Sequence, residues 1–103
     1  MDIGNKNIAY LEELTKGSLT FAQMIHSIRI CNEIPQVKLA KMMNISRSYL
    51  CDIENGRRFV SLQKARMFAQ VLGYPETYFI AAVITDQLRV AGMPYIVELK
   101  DKK

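Results

Sequence analysis

Residues 36–56 read QVKLAKMMNISRSYLCDIENG, two short amphipathic segments on either side of a sharp corner. Pro35 suits the opening of the first, because a proline at a helix start lacks only an N–H that would have no partner there. Leu39, Ala40 and Met43 then share one side. Asn44 tolerates the left-handed backbone that ends such a helix, and Ile45 drops an apolar side chain into the corner. Ser46 is placed to cap the next helix, its hydroxyl accepting from the N–H of Ser48 or Tyr49. In that second helix Leu50 and Ile53, three apart, bury one face, and Asn55-Gly56 stops it, glycine taking positive φ without a Cβ clash. The opposite face carries Arg47, Ser48, Cys51 and Asn55, a polar row with no acid in it.

A helix presenting such a row, braced by another across a three-to-four-residue turn, is the arrangement that reads the DNA major groove. The chain resembles the lambda-repressor/Cro-like, or Xre-type, helix-turn-helix family. The resemblance rests on Gln36 at the first helix start, Leu39-Ala40 within it, Ile45-Ser46 at the turn and the run SRSYLCDIENGRR, and it extends over residues 21–79. Glu33 departs from the pattern, since the family often has glycine there, and this predicts a different turn type in the loop before Gln36.

The resemblance implies an all-α fold: a five-helix lambda-repressor-like domain over residues 18–90, with its recognition helix at 46–55. An arm or short helix over 1–17 is expected before it, and a short C-terminal β-strand and tail over 91–103 after it. The implied function is a sequence-specific transcriptional regulator, a repressor that binds an inverted-repeat operator as a homodimer. The alternative is an antitoxin of the HigA type, which binds a toxin protein and represses its own operon. Base reading falls to Arg47 and Ser48, with Tyr49 and Cys51 beside them, since arginine pairs bidentately with guanine O6 and N7 and serine adapts to several base edges. Gln36, Ser46, Asn55, Arg57, Arg58 and Lys64 are expected on the DNA backbone. Arg29 and Glu54 are expected to form a partly buried ion pair, because family members carry a basic and an acidic residue at these places.

Outward from this centre, Thr20 is placed to cap a helix in which Phe21, Ile25 and Ile28 face the core and His26 points out. In the 1–17 segment Asn7 can cap a short helix with Ile8, Leu11 and Leu14 on one side. Ser61 caps a helix with Leu62, Ala65, Phe68, Ala69 and Leu72 at helical spacing, closed by Gly73. Pro75 and Glu76 open a last helix, whose run YFIAAVI, Tyr78 to Ile84, has no polar side. A helix of that kind needs cover on more than one side, which predicts a subunit interface through Tyr78, Phe79, Ile80 and Val83. YIVEL, Tyr95 to Leu99, has strand composition, so Tyr95 and Val97 are expected to join that interface by pairing with a second copy.

At 103 residues, half of them hydrophobic, the chain is read as one globular domain. Its net charge of +4 permits a polyanionic partner, and the basic residues crowd between Arg29 and Arg66, opposed there only by Glu33, Asp52 and Glu54. Cys31 and Cys51 lack metal-ligand spacing and His26 is the single histidine, so neither a metal nor a cofactor is expected. No carboxylate pair, nucleophile–base set or glycine-rich phosphate loop argues for an enzyme. The opening MDIGNKN is not a signal peptide, and no apolar run reaches membrane length; the expected location is the cytoplasm, with reduced thiols.

Overall fold

The computed structural model describes residues 19–100 and 102, so the arm expected over 1–17 lies outside the described part. Five helices follow one another: α1 Phe21–Cys31, α2 Gln36–Met43, α3 Arg47–Glu54, α4 Leu62–Leu72 and α5 Glu76–Val90. Among the described residues no helix is long and apolar enough to cross a membrane.

The helix starts follow from side chains that accept the first backbone donors. Thr20 and Gln23 form a reciprocal capping box at α1, Ser46 Oγ accepts from the Tyr49 N–H at 3.0 Å, and Ser61 Oγ from the Lys64 N–H at 3.0 Å. α2 and α5 begin after Pro35 and Pro75. The first N–H of α1, on Phe21, donates to Asp86 Oδ2 at 2.9 Å, and Arg89 donates to the other oxygen, so α5 satisfies an orphan donor of α1.

The ends share one device, a left-handed residue whose own N–H and that of the residue after it turn back onto the last carbonyls. At α3 that residue is Gly56, with Gly56 N–H on Ile53 O and Arg57 N–H on Asp52 O. At α2 it is Asn44, φ 58°. At α1 it is Glu33, φ 55°, with Glu33 N–H on Ile30 O and Ile34 N–H on Arg29 O, both at 3.0 Å. The turn type expected to change at Glu33 is therefore the left-handed one a glycine would serve. The two hydrogen bonds and the burial of Ile34 hold the turn, and the glutamate bears its strain.

The core joins Phe21, Met24, Ile25 and Ile28 of α1 to Phe68, Ala69 and Leu72 of α4 and to Phe79 and Val83 of α5, with Leu39, Met43, Leu50 and Ile53 closing it from α2 and α3. Phe21 meets Phe68 and Phe79 edge-on, at ring centroids 5.8 and 6.1 Å. Leu62, expected in the core, is 46% exposed.

Two expectations about the C-terminal part need correction. Phe79 and Val83 are 0% and 4% exposed inside this chain's own core and cannot be surface contacts of a second subunit. The apolar run is covered on that side by α1 and α4, while Tyr78 and Ile80 stay half-buried. No strand forms at Tyr95–Leu99: among the described residues it has no ladder partner. Val97 and Leu99 instead line a cleft of about 240 Å³ with Met24 and with Tyr78, Ala81 and Thr85 of α5.

One carboxylate ties the first three helices together. Arg29 Nε donates to Glu54 Oε2 at 2.7 Å and Arg29 Nη2 to Oε1 at 3.0 Å, a two-point fork, while Arg29 Nη1 donates to the Ile34 carbonyl at 2.9 Å. His26 Nδ1 stands 3.0 Å from Glu54 Oε1, and the Gln36 amide donates to the same oxygen at 3.3 Å. His26, expected to be a plain surface residue, is half exposed and nonetheless joined to this centre. Burial opposes ionisation of Glu54, but the hydrogen bonds from Arg29 and His26, the Arg29 charge and the Gln36 bond outweigh it and hold its carboxyl below the ordinary range.

Glu33→Gly relieves a left-handed glutamate, and chemical denaturation is expected to show a gain of about 0.5–1 kcal/mol, smaller than the strain relieved because glycine also loosens the unfolded chain. Glu54→Ala strands a guanidinium only 8% exposed and is expected to cost about 3–5 kcal/mol. Because the folded-state pKa of Glu54 is depressed, its contribution is complete above the unfolded carboxylate pKa and is lost as pH falls through the lower folded value. Stability curves below about pH 4 should therefore be flatter in Glu54→Gln than in the parent.

Candidate nucleic-acid interface

α3 and its cap Asn55 leave Arg47, Ser48 and Asn55 exposed and Cys51 partly so, while Leu50 and Ile53 pin the other face of the helix to the core. Arg47 is the first residue of α3, and among the described residues it has no ion-pair partner. Ser48 follows it one position on, so the two polar groups expected to read bases stand together at the helix start. Cys51 sits one turn further. The Asn55 amide folds back along the helix, donating to the Cys51 carbonyl at 2.8 Å and lying 3.3 Å from its sulfur. Asn55 and Cys51 are thus engaged with each other, and Asn55 needs a rotation to reach an external acceptor.

The other polar residues surround this row at different distances from readiness. Ser46 is exposed and its oxygen is used as the cap acceptor, which leaves the hydroxyl proton for another acceptor. Gln36 spends one amide N–H on Glu54 and keeps its other N–H and its oxygen outside that bond. Arg57 is bound to Asp52 of α3 through Nε at 3.1 Å and Nη2 at 3.0 Å, so part of its charge is already offset by a carboxylate while its remaining donors stay outside that pair. Arg58 and Lys64 converge on one ring: the Arg58 guanidinium carbon lies 5.1 Å and the Lys64 ammonium 5.5 Å from the centroid of Tyr49.

Asp52 and His26 are the two side chains that sequence reasoning undervalued. Asp52 counted only as an opposing charge, yet it lies five residues before Arg57 across the turn of Gly56. His26 lies three residues before Arg29 on the same helix face, a spacing that could have placed both on one acceptor.

The first turns of α2, α3 and α4 contain no acidic residue and each contains a cation, Lys38, Arg47 and Lys64, whereas the first turn of α5 carries Glu76. The arrangement can receive an extended anion: a polar row headed by an arginine, with loop and helix-start cations at its sides.

Comparison with known proteins agrees with this geometry. A family described as helix-turn-helix matches residues 25–79, from within α1 into α5. The immunity repressor protein of Bacillus phage phi105 is 44% identical over 55 residues, a stretch that makes up 53% of this chain and 38% of that protein. The chain therefore spans well under half the length of the curated relative it matches. No solved structure matches at a significant level. The family match takes in the turn, the reading row and the Arg57-Arg58 loop together, and the chain belongs to the lambda-repressor-like, Xre-type helix-turn-helix family.

Proposed function

We propose that this chain is a sequence-specific DNA-binding repressor that occupies an inverted-repeat operator as a homodimer. The observation that carries the reading is the acid-free row of α3, headed by Arg47, which has no ion-pair partner among the described residues, and flanked by Arg57, Arg58 and Lys64. Arg47 and Ser48 contact base edges, and Gln36, Ser46 and the loop cations hold phosphates. The 44% identity to a phage immunity repressor over 55 residues supports the same reading.

Two copies are proposed to meet through the part of α5 and the tail that this chain leaves uncovered. Ile80 is half-buried, while Tyr95 is 67% and Ile96 96% exposed. Exposed apolar groups clustered near one helix favour association over solvent. A two-fold dimer places its two copies of α3 about one DNA turn apart, roughly 34 Å, and half-sites spaced by about 10 base pairs follow.

The specificity assignment is tested by competition titrations at several salt concentrations. Arg47→Ala is expected to lose on the order of 1–3 kcal/mol at one base position and to relax preference there. Arg58→Ala should weaken binding to every duplex and lower the salt slope by about one. Arg57→Ala should act in the same direction but less, since the Asp52 carboxylate already offsets part of its charge. An Arg47→Ala protein with every base preference intact would refute the assignment of the reading face.

The dimer is tested by sedimentation of the full chain beside Ile80→Asp and a chain ending at Gly92. Both variants are expected to shift toward monomer and to need much more protein to occupy the same duplex. A parent chain that is monomeric at tens of micromolar would remove the dimer and favour an antitoxin, whose uncovered tail serves a toxin protein.

A further inference from the structure

Tyr49 belongs to the first turn of α3, and its position suggested a base-reading side chain. Its environment is of another kind. The ring is half-buried, packed against the hydrophobic core, and two cations from different elements approach it: Arg58 from the loop after α3 and Lys64 from the first turn of α4. Ser46, by capping the Tyr49 N–H, fixes the backbone from which the ring projects.

Two like charges do not gather beside one side chain without something that compensates their repulsion. The negative face of an aromatic ring does so in part, and an incoming phosphate would do so fully. Arginine and lysine otherwise lose considerable rotamer freedom when they bind an anion, and a ring that already restrains both lowers that loss. From this geometry we infer that Tyr49 is a positioning residue: its ring holds Arg58 and Lys64 together as one phosphate-binding unit at the start of the recognition helix, and it does not read bases. The inference rests on the DNA-binding reading above and assigns Tyr49 a role within it.

A double-mutant cycle on the full chain tests this, with a random-sequence duplex of about 20 base pairs as probe and a randomised duplex pool to read base preference. Tyr49→Phe retains the ring and is expected to bind as the parent does. Tyr49→Leu retains an apolar side chain against the core but no ring, and is expected to bind about three- to tenfold more weakly on every duplex, with base preference unchanged. In a background of Arg58→Ala with Lys64→Ala, Tyr49→Leu should have no further effect. Thermal melts accompany each variant, and Tyr49→Met replaces Tyr49→Leu if the latter unfolds at the assay temperature.

Altered base preference in Tyr49→Leu would make Tyr49 a reader and overturn the inference. So would a loss that persists without the two cations, which is the mark of a purely structural side chain, or a Tyr49→Phe as weak as Tyr49→Leu. If the parent itself binds no duplex at low salt, the DNA-binding reading fails and this inference with it; if the parent binds and the cycle shows no coupling, only the role of Tyr49 is lost.

Discussion

The buried carboxylate of Glu54 is the constraint on which the arrangement of the first three helices depends. It stands at the last residue of α3, its side chain 3% exposed, and receives Arg29 and His26 from α1 and Gln36 from α2. A buried carboxylate is tolerable only when its lone pairs are filled, and here four donors from three side chains fill them. An apolar pair in place of both Arg29 and Glu54 could give comparable stability. What it could not give is direction: the two-point fork of Arg29 fixes the rotation of α3 about its own axis, and that rotation decides which residues face outward. Arg29 also holds the Ile34 carbonyl, so the turn leading to α2 is set by the same side chain.

Such a device matters because α2 and α3 are eight residues each, too short to persist as isolated helices. Their stability is borrowed from packing and from their ends. Leu39, Met43, Leu50 and Ile53 supply the packing, each 0% or 1% exposed. The left-handed turns supply the ends, and their economy explains how five helices fit into so few residues. Each turn satisfies last-turn carbonyls while reversing the chain within two or three residues, which leaves little backbone to be ordered without regular hydrogen bonds.

The parts of this fold that were legible in the sequence are those with a local physical cause. Thr20, Ser46 and Ser61 announce helix starts by their hydroxyls, Asn44 announces a left-handed stop, and the periodic apolar residues of α1 and α4 name most of their own core positions. The α5 run was opaque for the opposite reason: with every residue from 78 to 84 apolar, no period distinguishes Phe79 and Val83, which turn inward, from Ile80, which does not. The tail misled through composition, since Tyr95 to Leu99 would suit a strand but finds no edge among the described residues and lies over α5 instead. At the candidate interface, residue types were readable but their engagement was not. Pairs such as Arg57 with Asp52, or Arg58 and Lys64 with Tyr49, depend on how a turn brings two elements together; the stop at Gly56 was readable, but the direction in which it sends the following loop was not.

The charge pattern at the helix starts points the same way by an independent route. Unsatisfied N–H groups make a helix start partially positive, so acids are favoured there and cations disfavoured, by about 0.3–1 kcal/mol each at the surface. α5 obeys this rule with Glu76, yet α2, α3 and α4 break it with Lys38, Arg47 and Lys64 and have no acid in their first turns. Two of the three exceptions lie together: Arg47 heads α3, and Lys64 of α4 meets the first turn of α3 at the ring of Tyr49. A surface that concentrates positive charge where the backbone is already positive loses a little folding stability, and an anion laid across it would recover that loss.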